Sequence, residues 1–315
     1  MQFETDFFKG EVRQGFYIRP VMKRCWAAEL EVYEEIVRIC SKYGIRFFAM
    51  FGTLLGAVRD QGFIPWDDDM DLGMFREDYE NFIKCADTEL PEGWYLQNRR
   101  DSKDQDRSFI CVRNSPWALH TDEDYLSRFH GCPYGVGVDV FPIDSVPEND
   151  DDADVMRVLI GAALDIGQNV PKETLLTECD TEIKREVYDL CSACGLDFDP
   201  DKPISPQAFT LADKLSAMYM GVNTKNVTVM SIYHSWAEYY HPRSAFDEVV
   251  MLPFENTTVP VMGMYDGVLK TMYGDDYMIP RQGTSSHNYP FFKNYEVILR
   301  KNFSDAGVDF PEEFK

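Results

Sequence analysis

The chain is short of positive charge. Over 315 residues, 31 lysines and arginines stand against 54 aspartates and glutamates, for a formal net charge of −23. Non-specific nucleic-acid binding needs a basic footprint, so the charge argues against a nucleic-acid partner. Broad docking onto an anionic membrane surface is disfavoured too, leaving only transient contact through a local basic patch. Long apolar runs are also missing: no stretch approaches the roughly 18 uninterrupted apolar residues of a membrane-spanning helix. The opening "MQFETDFFKGEVRQGFYIRP" has no basic segment leading into an apolar one. No secretory signal is therefore expected, and the reading is a cytoplasmic protein, peripheral at most at the inner face of the membrane. There is no Gly-x-Ser-x-Gly elbow and no Gly-Lys-Ser/Thr loop, which sets aside hydrolase-triad and P-loop chemistry. The eight cysteines are scattered, and the one CxxC pair, Cys191 and Cys194, has no second pair or histidine at zinc spacing. Free thiols, with that pair on an ordinary helix surface, are the expectation.

What is present is the material of a globular fold: 44% hydrophobic and 14% aromatic residues in a length that can bury a full core. From Met22, apolar residues recur at steps of three and four through Trp26, Leu30, Tyr33, Val37 and Cys40. That period predicts an amphipathic helix with Gly44 as its left-handed cap. "IRFFAMF" (45–51) reads as a buried strand, "LLGAVRD" as a short helix, "DMDLGM" as a half-buried strand and 76–90 as a helix stopped by Pro91. "WYLQN", "SFICVRN" and "YGVGVDVFPID" are further strand candidates. After Asn149 the composition turns charged and helix-rich, to about residue 245. "VVMLPFENTTVPVM" (249–262) reads as a hairpin turning at Asn256-Thr257, and "MYDGVLKTMYGDDY" as a helix ending near Gly274. The organisation expected is a core over 1–149, a helix-rich insert over 150–247, and a C-terminal segment, 248–315, packing back on the core.

Asp67, Asp68, Asp69 and Asp71 crowd into five positions after Pro65-Trp66. In an extended strand, residues two apart share a face, so Asp69 and Asp71 should project together. Asp68 should point away, while Asp67 either shares the parity of the ligands or still lies in the loop. Carboxylates held side by side repel unless a cation lies between them or one is protonated. Hard oxygen ligands without His or Cys suit Mg²⁺ or Mn²⁺, which normally bridge to phosphates. Upstream, Gly52-Thr53 stands between a strand and a helix start, where backbone N–H groups and a hydroxyl can hold a phosphate. A third acid comes from "GVGVDVFPID": Val136, Val138 and Val140 face the core, leaving Asp139 on the opposite face.

Gly-Thr, Asp-x-Asp and a later strand Asp together resemble the metal site of the nucleotidyltransferase superfamily. More narrowly, "FGTLLGAVRDQGFIPWDDDMDLGMFREDYENF" resembles the signature of the LicD family of phosphocholine transferases, related to the fukutin-type proteins. "VDVFPID" and "LPFENTTVPV…YDGVLKTMYGDDYMIP" are similar to that family too, so the resemblance covers about 20–150 and 248–290. It implies an α/β fold, a nucleotidyltransferase-like mixed sheet flanked by helices with a helical insert. It also implies Mg²⁺-dependent transfer of a phospho-substituent, typically phosphocholine, from a CDP-alcohol such as CDP-choline to a glycan or glycolipid acceptor, releasing CMP. By position, Gly52 and Thr53 would contact donor phosphate. Asp69 and Asp71 would bind the metal, and Asp139 would complete the site or deprotonate the acceptor hydroxyl. Two rivals stand beside this: a cytidylyltransferase joining CTP to a phosphorylated alcohol, and a catalytically silent scaffold relative, against which the three acids count.

Arg59, Arg113 and Arg281 are candidate phosphate contacts, since arginine grips phosphate bidentately, and each could equally be a surface or structural ion pair. His287, in the turn-rich tail, is a candidate to serve the site. A quaternary ammonium would favour an aromatic cage, and Trp66, Trp117 and Tyr134 lie near the motif. Core packing is the expected role of those three aromatics.

Overall fold

The computed structural model describes residues 1–100, 102, 105–282 and 289–314. A short hairpin, β1 (Glu11–Arg13) and β2 (Phe16–Ile18), leads into α1 (Pro20–Tyr43). Proline at the first helical position and Gly44 at φ 67° bound α1 as its sequence period requires. β3 (Phe48–Ala49), α2 (Phe51–Arg59), β4 (Asp71–Phe75), α3 (Arg76–Glu89), β5 (Tyr95–Gln97), β6 (Ile110–Arg113), α4 (Glu123–Arg128) and β7 (Gly137–Ser145) follow. The strands form a mixed sheet in the order β3-β4-β7-β6-β5, in which β4 and β7 run parallel. β7 continues past β6 to pair with β8 (Asn226–Thr228), which in turn pairs with β9 (His241–Pro242). α1 lies on this sheet through its buried stripe of Trp26, Leu30, Tyr33 and Ile36.

Between β7 and β8 come α5 (Asp150–Asn169), α6 (Thr181–Cys194) and α7 (Ile204–Ser216); α8 (Met230–Tyr233) follows β8. The acidic run that marked the change of composition opens α5. The Asn149 side chain accepts the Asp152 N–H, and Asp150, Asp151 and Asp152 occupy the first turn, where the helix dipole favours negative charge. These helices build an apolar cluster of their own, running from Val146 to Tyr233, whereas Val227, Val229, Tyr239 and Phe246 belong to the core under the sheet. α5 and α7 approach closely at Gly167, where a side-chain carbon would meet the Phe209 ring at 2.9 Å. The hairpin β10 (Val249–Phe254) and β11 (Thr257–Met262), then α9 (Tyr265–Tyr273) and α10 (Lys293–Asp305), complete the fold. Tyr33 on α1 donates to the Thr258 carbonyl at 2.8 Å, fastening the hairpin to the core. Among the described residues no helix is long and apolar enough to cross a membrane.

Several local expectations are corrected. The strand expected over 45–51 is only Phe48–Ala49, because Phe51 adopts φ 46° and starts α2. The C-terminal hairpin turns at Glu255-Asn256, one residue early, with Glu255 at φ 49°. Trp117 is 68% exposed rather than packed, whereas Tyr134 is buried and stacks on Phe292 at 4.7 Å. All eight cysteines are free thiols.

The α5–α7 contact makes Phe209 the centre of the helical cluster. Phe209→Ala is expected to lower stability by about 3–5 kcal/mol, the usual cost of emptying a buried aromatic site. Denaturant melts would show it; a loss under about 1 kcal/mol would mean the helices are not packed around this ring.

Candidate active site

The site is built where α2 begins. The Met50 N–H bonds to the Asp71 carbonyl at 2.9 Å, and the Thr53 hydroxyl accepts the Asp71 N–H at 2.8 Å. α2 is thereby fixed against the head of β4. Its N-cap residue, Met50, offers no side-chain cap, which leaves the first N–H groups of α2 to partners from elsewhere in the chain. Gly52 is glycine for a steric reason: a Cβ there would collide with Asp67 Oδ2. The Asp67 carboxylate thus lies over the positive end of α2, where the dipole favours it. From the other side, α1 holds the loop: Trp26 stacks on Phe63 at 4.7 Å and donates to the Asp67 carbonyl at 3.1 Å.

Asp67, Asp68 and Asp69 each offer a carboxylate oxygen, and these oxygens lie within 4.8 Å of one another. This corrects the parity reading. Strand β4 starts only at Asp71, since the turn at Pro65-Trp66 carries the chain through residues 67–70 as irregular backbone. Alternation does not apply there, and Asp68 joins the cluster instead of pointing away. It is 2% exposed and accepts the Phe291 N–H at 2.5 Å. Asp71 stands opposite Asp139 across the parallel β4–β7 pair, and the Asp139 N–H donates to the Met70 carbonyl at 2.9 Å.

The electrostatics are those of crowded acids. Burial pushes the Asp71 carboxyl well above the ordinary range, and the charges of Asp69, Asp139 and Asp67 push it further. Beneath the loop, Glu29 of α1 is raised by burial and then by Asp68 and Asp69, and its Oε2 has no hydrogen-bond partner among the described residues. Burial raises the Cys111 thiol, opposite Asp139 on β6, and the Asp139 charge adds to it. A partly buried, mutually repelling set of hard oxygen donors without His or Cys fits a divalent cation of the Mg²⁺ or Mn²⁺ type.

The basic candidates lie differently. Arg59 closes α2 roughly 10 Å from Gly52, at about 1.5 Å per residue. Its guanidinium pairs with Asp60 at 2.9 Å. Arg113 shares a face of β6 with Cys111 and donates to the Gly135 carbonyl at 3.1 Å. Arg281 is exposed and pairs with Asp276. Trp66 packs edge-on against Phe16 at 6.1 Å. His287 lies outside the described residues. Arg107 was missed by sequence reasoning: its Nη1 stands 3.7 Å from Asp139 Oδ2, and its guanidinium lies over the Phe109 ring. It sits in "QDRSF", where no period marks it. Tyr239 and Tyr273 were missed too. Burial raises both phenols, and Asp71 is the largest charge acting on each, which puts two hydroxyl-bearing rings within the field of the site.

Residues 44–131 match the family described as LicD/FKTN/FKRP, nucleotidyltransferase domain, a span that holds Gly52 to Asp71 but stops short of Asp139. The chain is 24% identical over 267 residues to the lipopolysaccharide cholinephosphotransferase LicD of Haemophilus influenzae, covering 80% of this chain and 89% of that protein. It is 40% identical over 57 residues to the human ribitol 5-phosphate transferase FKRP, 18% of this chain and 12% of the other.

Asp71 titrates higher in the folded than in the unfolded chain. Between the ordinary carboxylate range and its own raised pKa the folded state binds more protons, so this group's contribution to stability falls as pH rises through that window. In EDTA, Asp71→Asn is therefore expected to melt higher than wild type at neutral pH, the gap closing as pH falls into the ordinary carboxylate range. Paired calorimetric scans across pH check this, and an asparagine variant that melts lower at neutral pH contradicts it.

Proposed function

We propose that this chain, whose residues 44–131 match the LicD/FKTN/FKRP nucleotidyltransferase domain, is a phosphotransferase moving a phosphate-borne alcohol from a CDP-alcohol to a hydroxyl of a glycan or glycolipid. Phosphocholine is the leading cargo, as the relative that spans most of the chain carries cholinephosphotransferase in its name. The observation that carries the reading is the same-rung placement of Asp71 and Asp139, with the charge of Asp69 acting on Asp71 and the N-terminus of α2 fixed against the Asp71 backbone. A scaffold has no use for converging acids that repel one another.

Asp69, Asp71 and Asp139 would hold Mg²⁺ or Mn²⁺. Such an ion, when bound, neutralises charge on the donor phosphates and on the departing nucleotide. The N-terminal end of α2, on the proposed reading, receives phosphate oxygens beside Asp67, a favourable arrangement at a helix N-terminus. Arg107, loosely paired at 3.7 Å, turns from Asp139 toward the donor phosphate. Asp139, 19% exposed, accepts the proton of the acceptor hydroxyl. That oxygen then forms a bond to the alcohol-bearing phosphorus. The bond from this phosphorus to the bridging oxygen breaks, and CMP leaves with the electron pair. Alignment and charge compensation do most of the work in such transfers, and a rigid strand pair supplies the alignment. A cytoplasmic location, where nucleotide-activated donors are made, goes with this reading.

The test incubates the full chain with Mg²⁺ or Mn²⁺, a panel of CDP-alcohols and sugar acceptors, and measures CMP. Release of CMP with a modified acceptor is expected; pyrophosphate from CTP and a phosphorylated alcohol, with no CMP from any donor, would replace this reading by cytidylyltransfer. Asp139→Asn should lower turnover by about 10²-fold or more, the usual scale for a positioned general base. Arg107→Ala should chiefly raise the KM for the donor. Turnover undiminished in Asp139→Asn removes Asp139 from the mechanism.

A further inference from the structure

The strand pair that carries Asp71 and Asp139 has a second charged rung at its far end. β4 and β7 are in register from Asp71–Asp139 to Phe75–Ile143, and the next residues are Arg76 and Asp144. Arg76 grips Asp144 bidentately, Nε to Oδ1 and Nη2 to Oδ2, both at 2.7 Å. Its remaining nitrogen, Nη1, donates to Asp213 Oδ1 on α7 at 2.6 Å. The other oxygen of Asp213 accepts from Arg100 Nε at 2.5 Å, and Arg100 also holds Glu80 at 2.6 Å. The side chains of Arg76, Asp144 and Asp213 are 3%, 1% and 6% exposed. One end of the pair therefore holds a repulsive rung, and the other an attractive, desolvated one. The two lie about five residues, roughly 16 Å, apart along the strands.

We propose that Arg76 is a positioning residue for the carboxylate site. Its grip on Asp144, tied through Asp213 to α7, fixes the β4–β7 register that sets Asp71 against Asp139. A slip of one residue would turn one of these acids to the opposite face of the sheet, because side chains alternate along a strand. Planar bidentate bonding resists that slip in a way that a point charge or an apolar contact does not. It follows that the helical insert is part of the site's geometry, for α7 supplies the third bond. The inference rests on the reading of Asp69, Asp71 and Asp139 as cation ligands.

Arg76→Lys conserves charge and removes the fork, so long-range electrostatics stay constant. Titration of the full chain with Mn²⁺, followed by electron paramagnetic resonance, should show affinity about tenfold or more weaker in this variant, the scale on which outer-shell supports act. Exchange of the Asp139 amide hydrogen, bonded to the Met70 carbonyl, should quicken. Leu190→Ala, on α6, which loosens the insert's apolar cluster but carries none of the clamp's bonds, should lower the melting point and leave Mn²⁺ affinity within about twofold of wild type. Arg76→Lys with wild-type Mn²⁺ affinity and unchanged Asp139 exchange overturns the inference, however far its melting point falls. If Arg76→Lys does not fold, Asp213→Ala, which removes the acceptors of both Arg76 Nη1 and Arg100 Nε and leaves the Asp144 fork, is read against the same two measurements. If wild type binds no Mn²⁺, the cation reading fails. The clamp is then decided by Asp139 exchange alone: faster exchange in the variant supports it, and unchanged exchange refutes it.

Discussion

Two carboxylates on the same rung of a parallel strand pair repel, and the molecule is arranged so that they cannot part. Asp71 and Asp139 belong to β4 and β7, neighbours near the middle of the sheet, flanked by β3 and β6 and covered by α1. Backbone bonds close the rung from both sides, through the Met50 and Asp139 amides. Three further aspartates are brought up to it by a loop that Trp26 and Phe63 hold from beneath. Such crowding stores free energy unfavourable to folding, which the packed sheet offsets, a distribution common at functional sites.

On the proposed reading, the same crowding answers how a chain of net charge −23 could receive an anionic nucleotide. Two of the arginines that the sequence offered for phosphate already face carboxylates, Arg59 toward Asp60 and Arg281 toward Asp276. Local positive potential comes instead from the N-terminal end of the α2 dipole and from Arg107. On the proposed reading a divalent cation supplies the rest, and the acids are the means of concentrating it. Overall acidity then disfavours an extended polyanionic acceptor, because repulsion acts at a distance while the compensation is local.

How much of this was legible in the sequence follows from which signals are periodic. The apolar stripe of α1, the valines flanking Asp139 and the acidic opening of α5 each repeat a pattern that backbone geometry enforces, and each was readable. Parity failed between Asp67 and Asp69 because it presumes a strand, and the chain there is still leaving the turn at Pro65-Trp66. β3 was overextended because apolar residues mark burial without marking where φ changes sign, as it does at Phe51. That β4 and β7 pair directly was invisible, for parallel neighbours joined through two other strands leave no local trace. Arg107 and the two tyrosines near Asp71 were hidden likewise, since loop and terminal residues reach a site through tertiary folding alone.

The joint between the two apolar clusters shows why charge was used where grease would also have held. An apolar seam between α7 and the strand ends would stabilise contact without fixing register, for apolar contact is non-directional. Buried ion pairs bring little net stability over well-packed apolar residues, but their geometry admits few alternatives. Arg76 has three bonds aimed at two acids on two different elements, and only one relative placement of β4, β7 and α7 satisfies them. On the proposed reading the insert is therefore less an addition to the catalytic sheet than the far anchor of the rung on which Asp71 and Asp139 stand.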